Sequence, residues 1–386
     1  MGNVDEYVRN RARLLEDVFR AIDESRESLI RRIREISEIP SPTFQEEGRT
    51  EYMKAAFAEA GLRDVYSLPK GSVLGFTHSR NEPDTLLLAA HIDTVFPVGT
   101  DLTTHVEGNI LHGPGTGDNA ANVAAIITLA EILNSLKIRP DRSIAFCGTV
   151  REEGVGNLGG IAEVLEAIDE NLEMVIAVDG RMPFLSHRSL AIRRYALKAA
   201  GPGGHAWTHY GTPSAVHEVA RVVAQLASTR VPEEPKTTFN VGTIRGGTSV
   251  NAIAEECVAQ VELRSLEAEH LERLERKFLE FAERIPAAGI KIETKLIGTR
   301  PAAHLPPESE LVETAVSAGR HVGIDPEPIA LSTDAALPLS KGIPSVAFGT
   351  CRGKGGHTLD EQIELDSLTT GLKWLALTVL ALAGHR

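Results

Sequence analysis

The spacing of apolar residues divides the chain into predicted helices and strands. Apolar residues recur at helical spacing over residues 13–39 and 46–60, and the PSP sequence at 40–42 and Gly61 end these two helices. The run TLLLAAHIDTV at 85–95 is almost continuously apolar, which is typical of a strand buried on both faces of a sheet. The first hundred residues therefore predict two helices and then a buried strand.

Strand and helix patterns alternate from there as far as residue 188, as in an α/β domain with a mostly parallel sheet. The predicted elements are a hairpin around Gly108 and Asn109, a helix at 122–137, a strand at 143–150, a helix near 160–168 and a strand at 174–180. After residue 188 the order becomes strand, helix, two strands, helix and strand, which is the ferredoxin-like pattern. From about residue 301 the first style returns, with a buried strand at 343–350 and a final helix at 365–383.

These patterns predict the fold class and the domain boundaries. We expect an α/β fold with a phosphorylase/hydrolase-like mixed, mostly parallel sheet in the catalytic domain and an inserted α+β ferredoxin-like lid domain. The catalytic domain would comprise residues 1–188 and 300–386, and the lid, which would also serve dimerisation, residues 189–299. A length of 386 residues agrees with two domains.

Composition and charge exclude several classes of function. The chain has 40 basic and 53 acidic residues, a net charge of −13, which argues against a nucleic-acid or anionic membrane partner. No apolar run is long enough to span a bilayer, and the first twenty residues are too charged for a signal peptide. Three widely spaced cysteines predict neither a disulfide framework nor a Cys-x-x-Cys metal site, so we expect a soluble, cytoplasmic protein.

Ionisable side chains gather where the predicted strands end. They are His91, Asp93, Asp118, Glu152, Glu153, Asp179 and His357. In an open parallel sheet, ligands bind beyond the carboxyl ends of the strands. So many carboxylates at one edge would repel one another unless a cation neutralised them, and the mixture with imidazole suits zinc, with cobalt or manganese as substitutes.

The number of these residues predicts two metal ions that share one bridging carboxylate. The five expected ligands are His91, Asp118, Glu153, Asp179 and His357. Asp93, two residues beyond His91, is placed to orient that imidazole. Glu152 remains as a general base for the water.

Simpler interpretations exist for each residue alone. Glu152 and Glu153 could lie on a solvated turn, and Asp118 could cap the following helix. The GPGTGD sequence at 113–118 lacks the third glycine of a dinucleotide-binding loop, which disfavours a nucleotide-dependent dehydrogenase. A non-catalytic binding module would be expected to lack a ligand or the base, and none is missing.

Five motifs in order resemble the M20 family of co-catalytic metallopeptidases over nearly the whole chain. They are AHIDTV, GPGTGDNAANVAA, REEGVGNLGG, AVDGR and GGHTLDE. Family members include tripeptidase T, glutamate-releasing carboxypeptidase, acetylornithine deacetylase and succinyl-diaminopimelate desuccinylase. The resemblance implies that His91 and Asp179 bind one metal, that Glu153 and His357 bind the other, and that Asp118 bridges them.

The resemblance also implies roles for residues outside the metal set. In the lid, His205 would polarise the scissile carbonyl, Asn251 and Arg264 would contact the substrate, and Arg300 would bind a substrate carboxylate. A turn residue and an ordinary strand charge are the alternatives for Asn251 and Arg264. The chain departs from the family in having NAA at 119–121 where Lys-Gly is common, and Arg151 where Asp is common.

The predicted reaction is hydrolysis of an amide bond. Asp179 in place of Glu, and the REEGVGNL sequence, resemble the tripeptidase T branch and favour di- or tripeptides. An N-acyl-amino-acid amidohydrolase is the alternative, because the arginines Arg264 and Arg300 suit a carboxylate of either substrate. Family habit implies a homodimer through the lid.

Overall fold

The computed structural model describes residues 2–80, 83–168 and 171–384. The chain forms two compact units. The larger comprises Met1–Ser189 with Ala303–Arg386, and the smaller comprises Leu190–Ala302.

The described residues form eleven α-helices. These are α1 Gly2–Asn10, α2 Ala12–Glu24, α3 Arg26–Ser37, α4 Glu47–Glu59, α5 Ala121–Ser135, α6 Gly159–Ile168, α7 Ala215–Ala227, α8 Ala268–Arg284, α9 Glu310–His321, α10 Ala336–Ser340 and α11 Ser367–Ala383. The single helix predicted over 13–39 is in fact two, α2 and α3, which meet at Ser25. There the Ser25 hydroxyl donates a hydrogen bond to the carbonyl of Ile22 at 2.8 Å, a local bond of the kind that competes with a continuous helix.

The described residues also form nineteen strands. These are β1 Arg63–Ser67, β2 Val73–Phe76, β3 Thr85–His91, β4 His105–Glu107, β5 Ile110–His112, β6 Ile144–Thr149, β7 Leu172–Val178, β8 Phe184–Ser189, β9 Ala191–Ala200, β10 Gly204–His205, β11 Thr237–Gly246, β12 Ala252–Ile253, β13 Glu256–Ser265, β14 Lys291–Arg300, β15 Ala303–His304, β16 Glu327–Leu331, β17 Ser345–Phe348, β18 Gly353–Lys354 and β19 Gln362–Glu364.

The larger unit is built on a mixed nine-stranded sheet. Its order is β1-β2-β6-β3-β7-β17-β8-β15, with β16 beside β8. The four central strands β6, β3, β7 and β17 are parallel, and β2 and β8 pair with them antiparallel on either side. This confirms the predicted α/β fold with a mixed sheet.

The apolar run in β3 is explained by burial on both sides of the sheet. Leu86 and Leu88 belong to the larger core, which contains α5 and α11. Leu87 and Ala89 face a second core, to which α6 contributes. Because successive side chains of a strand point to opposite faces, every position of β3 has to be apolar or small up to His91.

A separate four-stranded sheet of order β18-β19-β5-β4 carries part of the candidate site in the larger unit. The predicted hairpin around Gly108 is the antiparallel pair β4 and β5.

The smaller unit has the predicted ferredoxin-like fold. Its antiparallel sheet has the order β11-β13-β9-β14, and α7 and α8 pack on it through residues such as Leu197, Val222, Ala259 and Phe278. The two-residue strands β10 and β12 pair antiparallel and form a separate small sheet in the same unit.

The unit boundaries differ from the predicted ones by one to three residues. They fall after Ser189 and after Ala302, rather than after 188 and 299. The reason is that β14 stays paired with β9 as far as Arg300, opposite Ile192. Arg300 is therefore part of the smaller unit and not the first residue of the returning catalytic domain.

Within the described residues, no helix is both long and apolar enough to cross a membrane. The three cysteines, Cys147, Cys257 and Cys351, are buried and free.

Candidate metal centre

Three neighbouring parallel strands deliver ionisable residues to one edge of the large sheet. His91 is the last residue of β3, Asp179 directly follows β7, and Glu153 lies four residues beyond β6. Because β6, β3 and β7 are adjacent and parallel, their carboxyl ends meet at this edge. The predicted strand-end cluster therefore forms where the sequence analysis expected it.

Asp118 lies between the two histidines of the cluster. Its Oδ1 is 3.0 Å from Nε2 of His91, and its Oδ2 is 3.1 Å from Nε2 of His357. Asp118 lies in an irregular turn, Thr116–Ala120, just before α5, and the Asp118–Asn119 peptide bond is cis. One carboxylate thus presents each of its oxygens to a different imidazole.

The remaining two carboxylates extend the cluster in opposite directions. Asp179 Oδ1 is 3.7 Å from Nε2 of His91, and Glu153 Oε1 is 2.9 Å from Nε2 of His357. His91, Asp118 and Glu153 each offer one ligand atom, and these atoms lie within 4.8 Å of one another. The five predicted ligands are therefore brought together, and the donor set of imidazole and carboxylate fits divalent metal ions.

Mutual contacts control the protonation of this cluster. Burial alone would raise the pKa of Asp118, but hydrogen bonds with His357 and His91 outweigh it and hold the pKa well below its ordinary value. Contacts with Asp118 and Glu153 raise the pKa of His357 to about 10. Burial alone would lower the pKa of His91, but contacts with Asp118 and Asp179 raise it well above the ordinary value. Metal binding would displace these imidazole protons.

Asp93 organises the backbone of the Glu152–Glu153 pair. Its two carboxylate oxygens accept the backbone N–H groups of Glu152 and Glu153, each at 2.9 Å, and the Thr43 hydroxyl at 2.8 Å. Nδ1 of His91 is 3.1 Å from the backbone carbonyl of Asp93 and 3.6 Å from the nearer carboxylate oxygen. Since a carbonyl only accepts, Nδ1 donates to it, and Nε2, which faces Asp118, is the atom that would bind a metal once its proton is displaced. The predicted orienting group was the Asp93 carboxylate, whereas in the structure the backbone carbonyl of Asp93 lies closer to Nδ1 of His91 than the carboxylate does.

Two buried asparagines that the sequence analysis gave no role connect the strand ends. Asn119 donates from Nδ2 to the carbonyls of His91 at 3.4 Å and Val178 at 3.1 Å. Its Oδ1 accepts a bond from Asn122 at 2.7 Å, and Oδ1 of Asn122 accepts the backbone N–H of Thr350 at 2.8 Å. The NAA segment that departs from the family pattern therefore ties the end of β3 to the end of β7.

Glu361 was also missed, although it lies in the quoted GGHTLDE motif. Its buried carboxylate accepts three backbone N–H groups, from Gly115 at 2.7 Å, Gly117 at 2.9 Å and Asp118 at 2.7 Å. Burial raises the pKa of Glu361 to about 7, with a contribution from the charge of Asp118. The turn that carries Asp118 is thus held by the residue that ends the His357 loop.

A further buried acid, Asp334, lies behind the cluster. It accepts a hydrogen bond from the Thr149 hydroxyl at the end of β6. Burial, with contributions from the charges of Asp179 and Asp93, raises the pKa of Asp334 to about 7. No sequence pattern distinguished Asp334 from a surface acid.

Glu152 is buried, with 5% of its surface exposed, on the segment that Asp93 holds. Glu152 is thus a buried carboxyl next to the predicted ligand Glu153, and its role as the base remains a prediction.

In the smaller unit, His205 and Asn251 lie on two hydrogen-bonded segments of the chain. His205 pairs with Ala252 in the β10–β12 pair, and Asn251 accepts the backbone N–H of Ala206 at 2.9 Å through its carbonyl. Nδ1 of His205 accepts the backbone N–H of Trp207 at 3.2 Å. The neutral imidazole therefore carries its proton on Nε2, where it can donate.

Arg264 and Arg300 lie on the same face of the smaller unit's sheet, because both are paired with Ile192 of β9. Nε of Arg264 is 2.6 Å from Oε1 of Glu262, and Arg194 bonds the other oxygen of Glu262 at 2.7 Å. Arg300 is almost fully buried. The two predicted substrate arginines are thus close in register, and Glu262 partly neutralises one of them.

This arrangement, a His and carboxylate cluster at the edge of a mixed sheet, is typical of a metal-dependent hydrolase. The profile of peptidase family M20/M25/M40 matches residues 87–381. The chain belongs to this family.

The chain is similar over most of its length to relatives and to solved structures. Succinyl-diaminopimelate desuccinylase of Corynebacterium glutamicum is 23% identical over 347 residues, covering 86% of this chain and 90% of the relative. A tripeptidase from Staphylococcus aureus has a TM-score of 0.74 at 22% identity, covering 93% of this chain and 98% of the other. The YXEP protein of Bacillus subtilis, a dinuclear metal binding peptidase from the M20 family, has a TM-score of 0.65 at 19% identity, covering 93% and 99%.

Proposed function

We propose that the protein is a dinuclear metal-dependent hydrolase that cleaves the amide bond of short peptides. The observation that carries this proposal is the position of Asp118, whose two oxygens contact His91 and His357 at 3.0 and 3.1 Å. A carboxylate shared in this way is what two adjacent cations require.

In this proposal His91 and Asp179 would hold one ion, Glu153 and His357 would hold the other, and Asp118 would be shared between them. Zinc suits the donor set best, with cobalt or manganese as substitutes. When bound, the two ions supply a water of lowered pKa and polarise the scissile carbonyl.

The protein's own residues then move protons and hold the substrate. Glu152 accepts a proton from the attacking water and returns it to the leaving nitrogen. His205 donates its Nε2 proton in a hydrogen bond to the developing oxyanion, a role that its tautomer supports. Asn251 contacts the substrate, and Arg264 and Arg300 bind a substrate carboxylate.

The proposed substrates are di- and tripeptides. Asp179 in the ligand set and the likeness in fold to a tripeptidase support this choice. An N-acyl amino acid is the second candidate, because the desuccinylase relative aligns over 86% of this chain. A cytoplasmic location and a homodimer formed through the lid are part of the proposal.

The test combines metal analysis with turnover. Zinc-loaded protein should retain about two ions per chain and hydrolyse alanine di- or tripeptides faster than N-acetyl or N-succinyl amino acids. Glu152→Gln should keep both ions but lose roughly 10²–10⁴-fold in kcat. The control Glu107→Gln, on the exposed strand β4, should leave both unchanged.

Three results would contradict parts of this proposal. Retention of no metal would exclude the dinuclear site. Normal turnover by Glu152→Gln would exclude Glu152 as the base. Faster hydrolysis of the acyl amino acids would favour the deacylase alternative.

A further inference from the structure

A basic cavity lies in the smaller unit, between the segment after α7, the start of β11 and one face of α8. Its volume is about 190 Å³. Four of its lining residues have basic side chains, and these are Arg230, His270, Arg273 and Lys277. Among the described residues that line it, none is acidic.

The helical repeat brings three of these side chains together. His270, Arg273 and Lys277 are spaced by three and four residues along α8, so they lie on one face of the helix. Leu274, which also lines the cavity, is 3% exposed and belongs to the core beneath. Arg230 reaches the same cavity from the segment that follows α7.

These basic groups have few counter-charges. Arg273 pairs with Glu269 at 2.9 Å. In the described part of the chain, Nδ1 of His270 is buried without a hydrogen-bond partner, and neither Arg230 nor Lys277 forms a side-chain ion pair. The cavity thus gathers positive charge with a single acidic partner, Glu269, and this favours a negatively charged ligand there.

We propose that this cavity binds a small multivalent oxyanion of the phosphate class. Arginine presents planar pairs of N–H donors that match such an anion, and Arg230 and Arg273 supply two guanidinium groups. His270 is the third residue of α8, where the helix dipole also favours negative charge.

The size of the cavity restricts the ligand. Pockets for drug-sized molecules usually have volumes of roughly 300–1,000 Å³, so about 190 Å³ suits an ion or one phosphoryl group better than a nucleotide. The residues proposed to act on the substrate, His205, Asn251, Arg264 and Arg300, are absent from its lining, so the site is distinct from the proposed hydrolytic one.

Calorimetric titration of the full-length, metal-loaded protein with inorganic phosphate tests the proposal. The site variant Arg230→Gln/Lys277→Gln removes two of the cavity's charges. The matched control Arg245→Gln/Arg276→Gln removes two exposed charges from the same unit that do not line the cavity.

The wild type and the control should bind phosphate with affinities within twofold of each other, and the site variant at least tenfold more weakly. Sulfate should compete with phosphate, whereas chloride at equal ionic strength should not. Equal thermal unfolding of the three proteins without phosphate would show that the fold is intact.

Three outcomes would overturn the proposal. They are absence of phosphate binding by the wild type, equal binding by the site variant, and equal weakening by the control. Both variants keep the residues proposed to hold metal, so any phosphate bound there is common to all three proteins, and the difference between them tests the cavity independently of the proposed peptidase activity.

Discussion

Removal of the Glu361 carboxylate should weaken metal binding although Glu361 is not a predicted ligand. The carboxylate accepts three backbone N–H groups at 2.7–2.9 Å, and one of these belongs to Asp118 itself. In Glu361→Ala the donors of Gly115, Gly117 and Asp118 lose this partner.

The magnitude follows from the number of bonds. Each buried donor left without a partner costs about 1–3 kcal/mol, so three donors cost roughly 3 kcal/mol or more in the ordered turn. The turn would relax in the metal-free protein, and a metal ion would have to order it again on binding. Loss of a group that orients a ligand typically lowers metal affinity about 10–100-fold, or about 1.4–2.8 kcal/mol, which is within that sum.

The assay is competitive titration of metal-free protein with zinc against a chromophoric chelator. Glu361→Ala should show the 10–100-fold loss, and Glu361→Gln, which keeps one carbonyl oxygen, a smaller one. Asp360→Ala provides the control, because Asp360 is the exposed neighbour in the same loop. Zinc affinity and kcat/KM of Glu361→Ala equal to those of the control would refute the reasoning.

Two other perturbations test the fold around the site. In the metal-free protein, the pKa of Asp334 is about 7 when the chain is folded and near 3.8 when it is unfolded. The contribution of the protonated carboxyl to the free energy of unfolding is therefore full below pH 3.8. This contribution, at most ~4 kcal/mol, is lost as the pH rises towards 7. The difference in unfolding free energy between wild type and Asp334→Asn should therefore shift against the wild type from pH 5 to pH 7.5, and a constant difference would contradict this assignment. Trp374→Ala should destabilise the larger unit by about 3–5 kcal/mol, because the indole is buried, stacks on Phe348 at 4.3 Å and donates to the carbonyl of Ala315 at 2.7 Å. The free energy of unfolding of Trp374→Phe should lie between those of the wild type and Trp374→Ala. A loss of unfolding free energy below about 1 kcal/mol for Trp374→Ala, measured by denaturant unfolding, would contradict that magnitude.

Strand ends were predictable because their position follows from simple patterns. The apolar runs before His91 and Asp179 identify buried parallel strands, and such strands end at one edge of a sheet. His357 could be placed less directly, because it lies in a glycine-rich loop several residues beyond the predicted strand at 343–350. The structure brings all three within the same cluster.

The supporting residues could not be predicted, and the reason is physical. Glu361 and Asn119 act on backbone N–H and C=O groups of distant segments, and every residue except proline has the same backbone groups. Nothing in the sequence shows which of them lack a partner. The predicted boundary at residue 300 lies three residues before the start of the second part of the larger unit for a related reason, since the length of β14 depends on its pairing with β9.

The order of the strands has a consequence for synthesis on the ribosome. The smaller unit, Leu190–Ala302, is contiguous and has its own core, so it can fold as soon as it has emerged. The larger sheet cannot close at that time, because β17 lies between β7 and β8 in the sheet and begins more than forty residues after Ala302, the last residue of the smaller unit. Until β17 and α11 have been made, the edges of β7 and β8 that pair with β17 stay unpaired, and the apolar surface of α5 that packs with α11 stays uncovered. A nascent chain that stalls after Ala302 would therefore contain a folded smaller unit and an incomplete, aggregation-prone larger unit.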